Sequence, residues 1–207
     1  KCFDKSQETG ECIRRSPEGD RKALWLLHKR PILEKQPTPA ATLHNYIIIM
    51  KEVHTMQCGD YTYRAIDTGA EIMEYYGQGG EITLPETLDD LPVVSVGLCA
   101  FIMRTDLTAV TLPKTLRHIG GSAFEGCSAL TSITLNDGLE TIEYRAFASC
   151  TALREIAFPD SVTAVGGAVL SGCTALNSVH LPNALTVLPM QALMNCTSLE
   201  FLNLPDT

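Results

Sequence analysis

Histidine and cysteine are the side chains of this sequence best suited to bind a metal or act as nucleophiles, so their spacing is considered first. The 207 residues include eight cysteines and five histidines. His54 and Cys58 are four residues apart and could share one face of a helix, but a zinc site needs further ligands and no third is near. His118 and His180 are interpreted as solvated side chains of different repeats. We therefore expect no metal site and no histidine-based active site.

The acidic side chains show no arrangement typical of catalysis or calcium binding. Asp89, Asp90, Glu140 and Glu143 are interpreted as solvated loop or edge charges, and Asp137 as part of a turn. The sequence contains no D-x-D-x-D-G calcium loop, no G-x-S-x-G nucleophile motif and no glycine-rich phosphate loop. We predict that the chain is not an enzyme and that it binds no cofactor.

Four of the cysteines recur every 23 residues: Cys127, Cys150, Cys173 and Cys196. Equivalent residues on stacked parallel strands lie ~4.8 Å apart with their side chains pointing the same way. Their Cβ atoms should therefore be further apart than the ~3.8 Å of a disulfide. We predict a column of buried, reduced thiols without metal. The other four leave alternatives open, since Cys2 could pair with Cys12, and Cys58 with Cys99.

The 23-residue period runs through the C-terminal part of the chain and defines the elements that must position these side chains. A divergent copy at about 82–104 precedes four complete copies and the start of a fifth, which begin at Leu107, Leu130, Leu153, Leu176 and Leu199. Each copy starts L-x-x-[VI]-x-[LF], and this alternation predicts a short, half-buried strand. A second apolar pair predicts a second short strand, and the residues before each Cys suggest one helical turn. So short a unit cannot bury its apolar face alone, which predicts a stacked solenoid.

Two further columns have a physical interpretation. Phe101, Phe124 and Phe147 recur at the repeat period and are predicted to stack in the core rather than to form a ligand cage. The glycine pairs that begin at Gly120 and Gly166 predict a corner that needs permissive backbone angles.

The repeat consensus, Leu-x-x-Ile-x-Leu-Pro-x-x-Leu-x-x-Ile-Gly-x-x-Ala-Phe-x-x-Cys-x-x-Leu, resembles that of the BspA-like leucine-rich-repeat family over about 82–207. The resemblance implies a right-handed coil with parallel strands, short second strands and short helical turns. It also implies a β-hairpin at 58–81 that caps the first coil. The expected function is a non-enzymatic binding or adhesion module of a bacterial surface or secreted protein.

Residues 1–57 share no column with the repeat and form a separate N-terminal segment. Ser16-Pro17 ahead of RKALWLLHKR predicts the start of a short helix, and Pro31 predicts its end. The stretch KQPTPAA from Lys35 is typical of an extended linker. No signal peptide is recognised at Lys1, and no apolar run approaches the ~18 residues of a membrane span.

The charge is unevenly distributed and restricts the partners. Residues 1–57 carry ten basic and seven acidic side chains, and residues 58–207 carry six basic and seventeen acidic ones, for a net charge of −8. An acidic solenoid disfavours nucleic acid and anionic membranes. We expect a protein or glycan ligand and an extracellular or cell-surface location. Two alternatives stay open: a cytoplasmic scaffold or regulatory domain, and a repeat domain attached to an enzyme encoded elsewhere in a longer polypeptide.

The candidate binding face is the outward side of the first strand of each copy, because side chains alternate along a strand. Stacked strands would present these side chains as one ribbon on an extended concave surface. The predicted set is mostly small and uncharged: Ala109, Thr111, Ser132, Thr134, Glu155, Ala157, Ser178, His180, Phe201 and Asn203. Strong interfaces usually centre on aromatic or arginine anchors, and Phe201 is the one aromatic residue here, so we expect weak or avidity-based binding.

The fifth copy is incomplete at Thr207. An open solenoid end exposes apolar side chains. We expect either that the array continues beyond this sequence or that end-to-end self-association covers that end.

Overall fold

The computed structural model describes residues 55–203, which form a β-solenoid of about six coils. The predicted N-terminal helix, the linker at Lys35, His54, and the pairing of Cys2 with Cys12 lie outside the described residues. The solenoid has three walls, formed by the first strands, the second strands and a wall of turns.

An antiparallel meander covers the first coil. It consists of β1 (Met56–Cys58), β2 (Tyr61–Ile66) and β3 (Gly69–Tyr75). The third of these strands pairs in parallel with β6 (Leu91–Val96), the second strand of the first coil. The backbone edge of that coil is therefore paired rather than open to solvent.

Arg104 fastens this cap to the solenoid. Its Nη1 donates to the carbonyl of Tyr75 at 2.9 Å and its Nη2 to the carbonyl of Gly77 at 2.8 Å. The guanidinium also lies 4.9 Å from the centre of the Tyr75 ring. Asp106 accepts two hydrogen bonds from the same group, each of 2.9 Å, so the donors of Arg104 are committed.

The first strand of each copy forms the front wall. These strands are β4 (Gly80–Thr83), β7 (Leu107–Thr111), β9 (Ser132–Thr134), β11 (Glu155–Ala157), β13 (Ser178–His180) and β14 (Phe201–Asn203). Their pairing is parallel and advances by one repeat per strand, which confirms the predicted first strands. The wall has one interruption. Strands β9 and β11 lie side by side, but within residues 55–203 no backbone hydrogen bond joins them, so the wall consists of two three-stranded sheets.

The second strands form the back wall and continue the sheet of the cap. They are β6, β8 (His118–Ile119), β10 (Thr141–Ile142) and β12 (Ala164–Val165). At the end of each strand a backbone N–H donates to the preceding coil, as from Gly166 to the carbonyl of Ile142 at 2.8 Å. Pro189 occupies the equivalent position in the next coil and has no N–H to donate, and the sheet ends at β12.

The third wall is built from turns, and residues 55–203 contain no helix, so the expected short helical turns are not confirmed. Alternate N–H groups of this wall donate to the next coil, as from Phe124 to Ala146 O and from Gly126 to Ala148 O, both at 2.8 Å. Two columns hold left-handed backbone angles: Cys99, Ser122, Arg145, Ala168 and Gln191, and Met103, Gly126, Ser149, Gly172 and Asn195. In this backbone every second N–H points along the solenoid axis, towards the next coil. In an α-helix the N–H groups would instead bond to carbonyls of the same segment.

The glycines at the corners have a different role from the one predicted. Gly120 and Gly166 do not adopt left-handed angles. A Cβ on Gly166 would instead lie 2.3 Å from the backbone nitrogen of Tyr144, and one on Gly120 would lie 2.8 Å from the carbonyl carbon of Gly97. These glycines permit the close approach of consecutive coils.

The core is a stack of equivalent side chains. Phe101, Phe124 and Phe147 are fully buried, and their ring centroids are 4.9 Å and 5.6 Å apart with interplanar angles of 14° and 11°. The ring of Tyr75 continues the stack into the cap, 5.4 Å from Phe101. The predicted aromatic column is therefore confirmed as core packing.

The cysteine column is also confirmed as free thiols. Cys127, Cys150 and Cys173 are buried, and Cys196 is half-buried. Burial raises the pKa of the Cys127 and Cys173 thiols to about 12. Each thiol donates to a carbonyl of the preceding coil, as from Cys150 Sγ to Phe124 O at 3.2 Å.

The alternative pairing of Cys58 with Cys99 is wrong. Cys99 is a free thiol in the turn wall. Cys58 is disulfide-bonded, but not to Cys99.

Candidate functional site

The predicted binding face lies on the front wall, and its side chains are aligned from coil to coil. Thr111 of β7 is in register with Thr134 of β9, and Ala109 with Ser132. All of these except the half-buried Ala109 are exposed. We call this aligned outward set, including the equivalent residues of β4, β11, β13 and β14, the front ribbon.

The second half of the front ribbon belongs to the sheet of β11, β13 and β14. Glu155, Ser178 and Phe201 form one row, and Ala157, His180 and Asn203 form the other. The side chains of Asn203 and His180 contact each other at 2.6 Å through Nδ2 and Nδ1. Phe201 is 68% exposed, as expected for a side chain on the outward face of the strand rather than in the core.

The front ribbon extends one coil further than predicted. Glu81 and Thr83 of β4 are exposed and in register with Ala109 and Thr111. They were missed because the first copy is divergent, although Ile82 sits in the same column as Val110 and marks the register. Glu81 and Glu155 are the charged side chains of the front ribbon, so the surface is close to uncharged along most of its length.

The interruption between β9 and β11 divides the front ribbon into two halves. Each half is three strands wide, which corresponds to roughly 10 Å between its outer strands. A ligand that covers both halves must cross the junction next to Ser132 and Glu155.

The structure brings together some residues that were interpreted as solvated. His118 on the back wall contacts Thr141 Oγ1 through Nδ1, and its Nε2 lies 3.5 Å from Glu143 Oε1. Glu140 lies 3.8 Å from Arg117 Nε. His118 and Glu143 are therefore paired side chains, and His180 is the histidine of the front ribbon.

Asp89 and Asp90 form a tight turn between β5 (Thr87–Leu88) and β6. Their φ angles of 46° and 66° are the left-handed pair that a two-residue hairpin requires. The Tyr63 hydroxyl donates to Asp89 Oδ2 at 2.6 Å, so this turn is tied to the cap rather than solvated on all sides.

The described residues contain no cluster of three or more histidine, cysteine or acidic side chains that could hold a metal ion. Among residues 55–203, no helix has the length and apolar character needed to cross a membrane.

The fold and the repeat columns define a class of leucine-rich-repeat solenoid, and the comparisons with known proteins agree. Residues 94–207 match the BspA-type leucine-rich-repeat region in six copies. The chain belongs to the BspA-type leucine-rich-repeat family. No curated protein sequence matches the chain.

Several solved structures are similar. The leucine-rich-repeat protein of T. pallidum is 36% identical with a TM-score of 0.67, over 70% of this chain and 69% of that one. A leucine-rich-repeat protein from Bacteroides capillosus is 30% identical with a TM-score of 0.54, over 61% of this chain and 96% of that one. The pneumococcal vaccine antigen PcpA is 22% identical with a TM-score of 0.53, over 71% of this chain and 38% of its own, and this likeness concerns the fold alone.

Proposed function

We propose that this chain is the binding module of a bacterial surface or secreted protein and that the front ribbon contacts a protein ligand. The observation that carries the proposal is the in-register set of exposed or half-buried, mostly small and uncharged side chains on β4, β7, β9, β11, β13 and β14. Membership of the BspA-type family supports a non-enzymatic contact role.

The chemistry of the front ribbon favours a weak contact with a large partner. Threonine and serine hydroxyls donate and accept hydrogen bonds, but they fill no pocket and bury little apolar area. Phe201 is the one large apolar side chain on this face. Multivalent display would convert such weak contacts into adhesion, because linked sites rebind at a high effective concentration.

Two observations support a location outside the cytoplasm. Cys58 is disulfide-bonded, and disulfides persist mainly in oxidising compartments. The second is membership of the BspA-type leucine-rich-repeat family, whose proteins are generally found at the bacterial surface.

The test uses a tetramerised form of the whole chain and a panel of immobilised extracellular-matrix proteins. We expect the tetramer to bind at least one of them. Ser132→Arg places a bulky charge at the centre of the front ribbon and should weaken this binding about tenfold or more, equivalent to ~1.4 kcal/mol. Thr151→Arg makes the same change at an exposed position outside the ribbon and should leave binding unchanged. Equal losses in the two variants, or no binding by the tetramer, would contradict the proposal.

A further inference from the structure

A groove lies on the back of the molecule, where the cap meets the second strands of the first coils. Its volume is roughly 450 Å³. Arg64 of the cap hairpin lines one side, and Arg117 and His118 line the other. The groove is open to solvent and shares no residue with the front ribbon.

The pairing of the strands creates this groove from residues far apart in sequence. Arg64 is in register with Glu71, Glu71 with Ser95, and Ser95 with His118, so the four side chains form one row across β2, β3, β6 and β8. Neighbours in such a row are ~4.8 Å apart. The parallel pairing of β3 with β6 is the step that brings the cap arginine to the repeat histidine.

Glu71 forms part of the groove floor and holds Arg64 in place. Its side chain is 10% exposed. It accepts a hydrogen bond from Arg64 Nε and another, of 3.2 Å, from Ser95 Oγ. A buried carboxylate requires such partners. The charge of Glu71 is therefore balanced inside the fold, while the terminal nitrogens of Arg64 have no hydrogen-bond partner among the described residues.

Arg117 is held from the opposite side by backbone. Its Nη1 donates to the carbonyls of Lys114 at 2.9 Å and Leu116 at 3.0 Å. Its Nε is 3.8 Å from Glu140 Oε1, beyond hydrogen-bonding distance. Within residues 55–203 its Nη2 has no hydrogen-bond partner. Two guanidinium groups held in place by the fold therefore line the same groove, and each keeps N–H donors without a partner among the described residues. The planar geometry of a guanidinium suits a carboxylate.

Two arginines with unpartnered donors in one groove are unusual for residues 55–203, which are strongly acidic. Residues 55–203 carry six Arg or Lys side chains against sixteen Asp or Glu side chains. The guanidinium groups of Arg104 and Arg145 form ion pairs with Asp106 and Glu125. In the groove the charges of Arg64 and Arg117 offset those of Glu71 and Glu140, so an anion approaching these arginines meets no net negative lining.

We propose that this groove is a binding site for a small carboxylate-bearing ligand, with the carboxylate held by Arg64 and Arg117. Acidic sugars and acidic peptides both carry this chemistry. The site is separate from the front ribbon, so its test does not depend on the proposed function.

The first measurement is an NMR titration of the ¹⁵N-labelled chain with N-acetylneuraminic acid, with N-acetyl-aspartate amide, and with N-acetylglucosamine, which has no carboxylate. The amide signals of Ser95 and His118 should shift with at least one carboxylate probe and not with the neutral sugar. The probe that acts identifies the source of the carboxylate. If neither carboxylate probe shifts these signals where a millimolar complex would be saturated, or the neutral sugar shifts them equally, the proposal is overturned.

The second measurement repeats the titration with variants. Arg117→Gln should weaken binding about tenfold, because a charge-assisted bidentate contact is lost. Arg64→Lys keeps the positive charge next to Glu71 but removes the planar guanidinium donors, and it should also weaken binding. Arg154→Gln removes the same charge from an exposed position outside the groove and should have no effect. Equal weakening by Arg154→Gln and Arg117→Gln, or no weakening by Arg117→Gln, would overturn the assignment.

Discussion

Each thiol of the cysteine column carries a hydrogen bond that a methyl group could not replace. The Sγ atoms of Cys127, Cys150, Cys173 and Cys196 donate to carbonyls at 3.1–3.2 Å, in each case 26 residues earlier. Those carbonyls belong to the phenylalanine column or its leucine equivalent. Cysteine is thus small enough to fit the corner before the next coil. Its thiol adds a second hydrogen bond to a carbonyl that already accepts one from a backbone N–H, as Phe124 O does from Cys127 N at 3.2 Å.

Titration of these thiols should make stability depend on alkaline pH. The unfolded chain loses its thiol protons near the ordinary pKa of 9.0, whereas folded Cys173 keeps its proton up to about pH 12. The folded state then binds more protons, so stability is full below pH ~9 and falls as the pH rises, by about 1.4 kcal/mol per pH unit for each such thiol. Urea unfolding across this range should show a flatter dependence for Cys173→Ala. An unchanged slope would contradict the burial of this thiol.

The two faces of the solenoid should respond differently to loss of a phenyl ring. Phe124 is buried between two stacked rings, and Phe124→Ala should cost about 3–5 kcal/mol. Phe201 projects from the front ribbon, and Phe201→Ala should cost under about 1 kcal/mol. The free energies of unfolding in urea provide the comparison, and equal costs would mean that the faces are reversed.

At the scale of the element, the corner between the second strand and the turn wall depends on close backbone contact. Gly166→Ala would place a Cβ 2.3 Å from the backbone nitrogen of Tyr144, which cannot move without displacing a coil. We expect a loss of about 3 kcal/mol or more. Gly121→Ala is the matched control, because its Cβ would first meet the flexible tip of Leu98 at 3.3 Å, and it should cost under about 1 kcal/mol. Thermal and urea unfolding of both variants provide the test, and comparable losses would show that backbone contact is not the cause.

The elements differ in how far the sequence could predict them. The strands and the phenylalanine and cysteine columns were predicted correctly, because burial imposes the same apolar residue type at every repeat. The turn wall was not, because its left-handed columns hold residues as different as Arg145 and Gly126, and no shared side-chain property marks them. The groove was missed for another reason. Arg64 and His118 come to line one groove only through the pairing of β3 with β6, which has no local signal in the sequence.

At the scale of the whole molecule, each coil contacts its neighbours, so complete repeats should be removable as units. Deleting residues 130–152 takes out one 23-residue period and leaves every column in register. We expect this shortened chain to fold cooperatively with somewhat lower stability. Deleting residues 130–141 instead leaves half a copy between complete ones, so the coils from Leu153 onward cannot stack on the preceding coil and should fail to fold. Circular dichroism and urea unfolding would distinguish these outcomes, and equal behaviour of the two deletions would contradict a modular array.

The interrupted front wall has a consequence for how the solenoid should respond to mechanical load. Between the second and third complete coils, backbone hydrogen bonds join the back and turn walls but not the front wall, so the front wall has no backbone hydrogen bond to resist load at this junction. A force applied along the axis should open the front wall at this junction first. Each coil that then unravels would release roughly 75 Å of extended chain. A module built in this way could lengthen in steps under flow while the coils on either side stay folded.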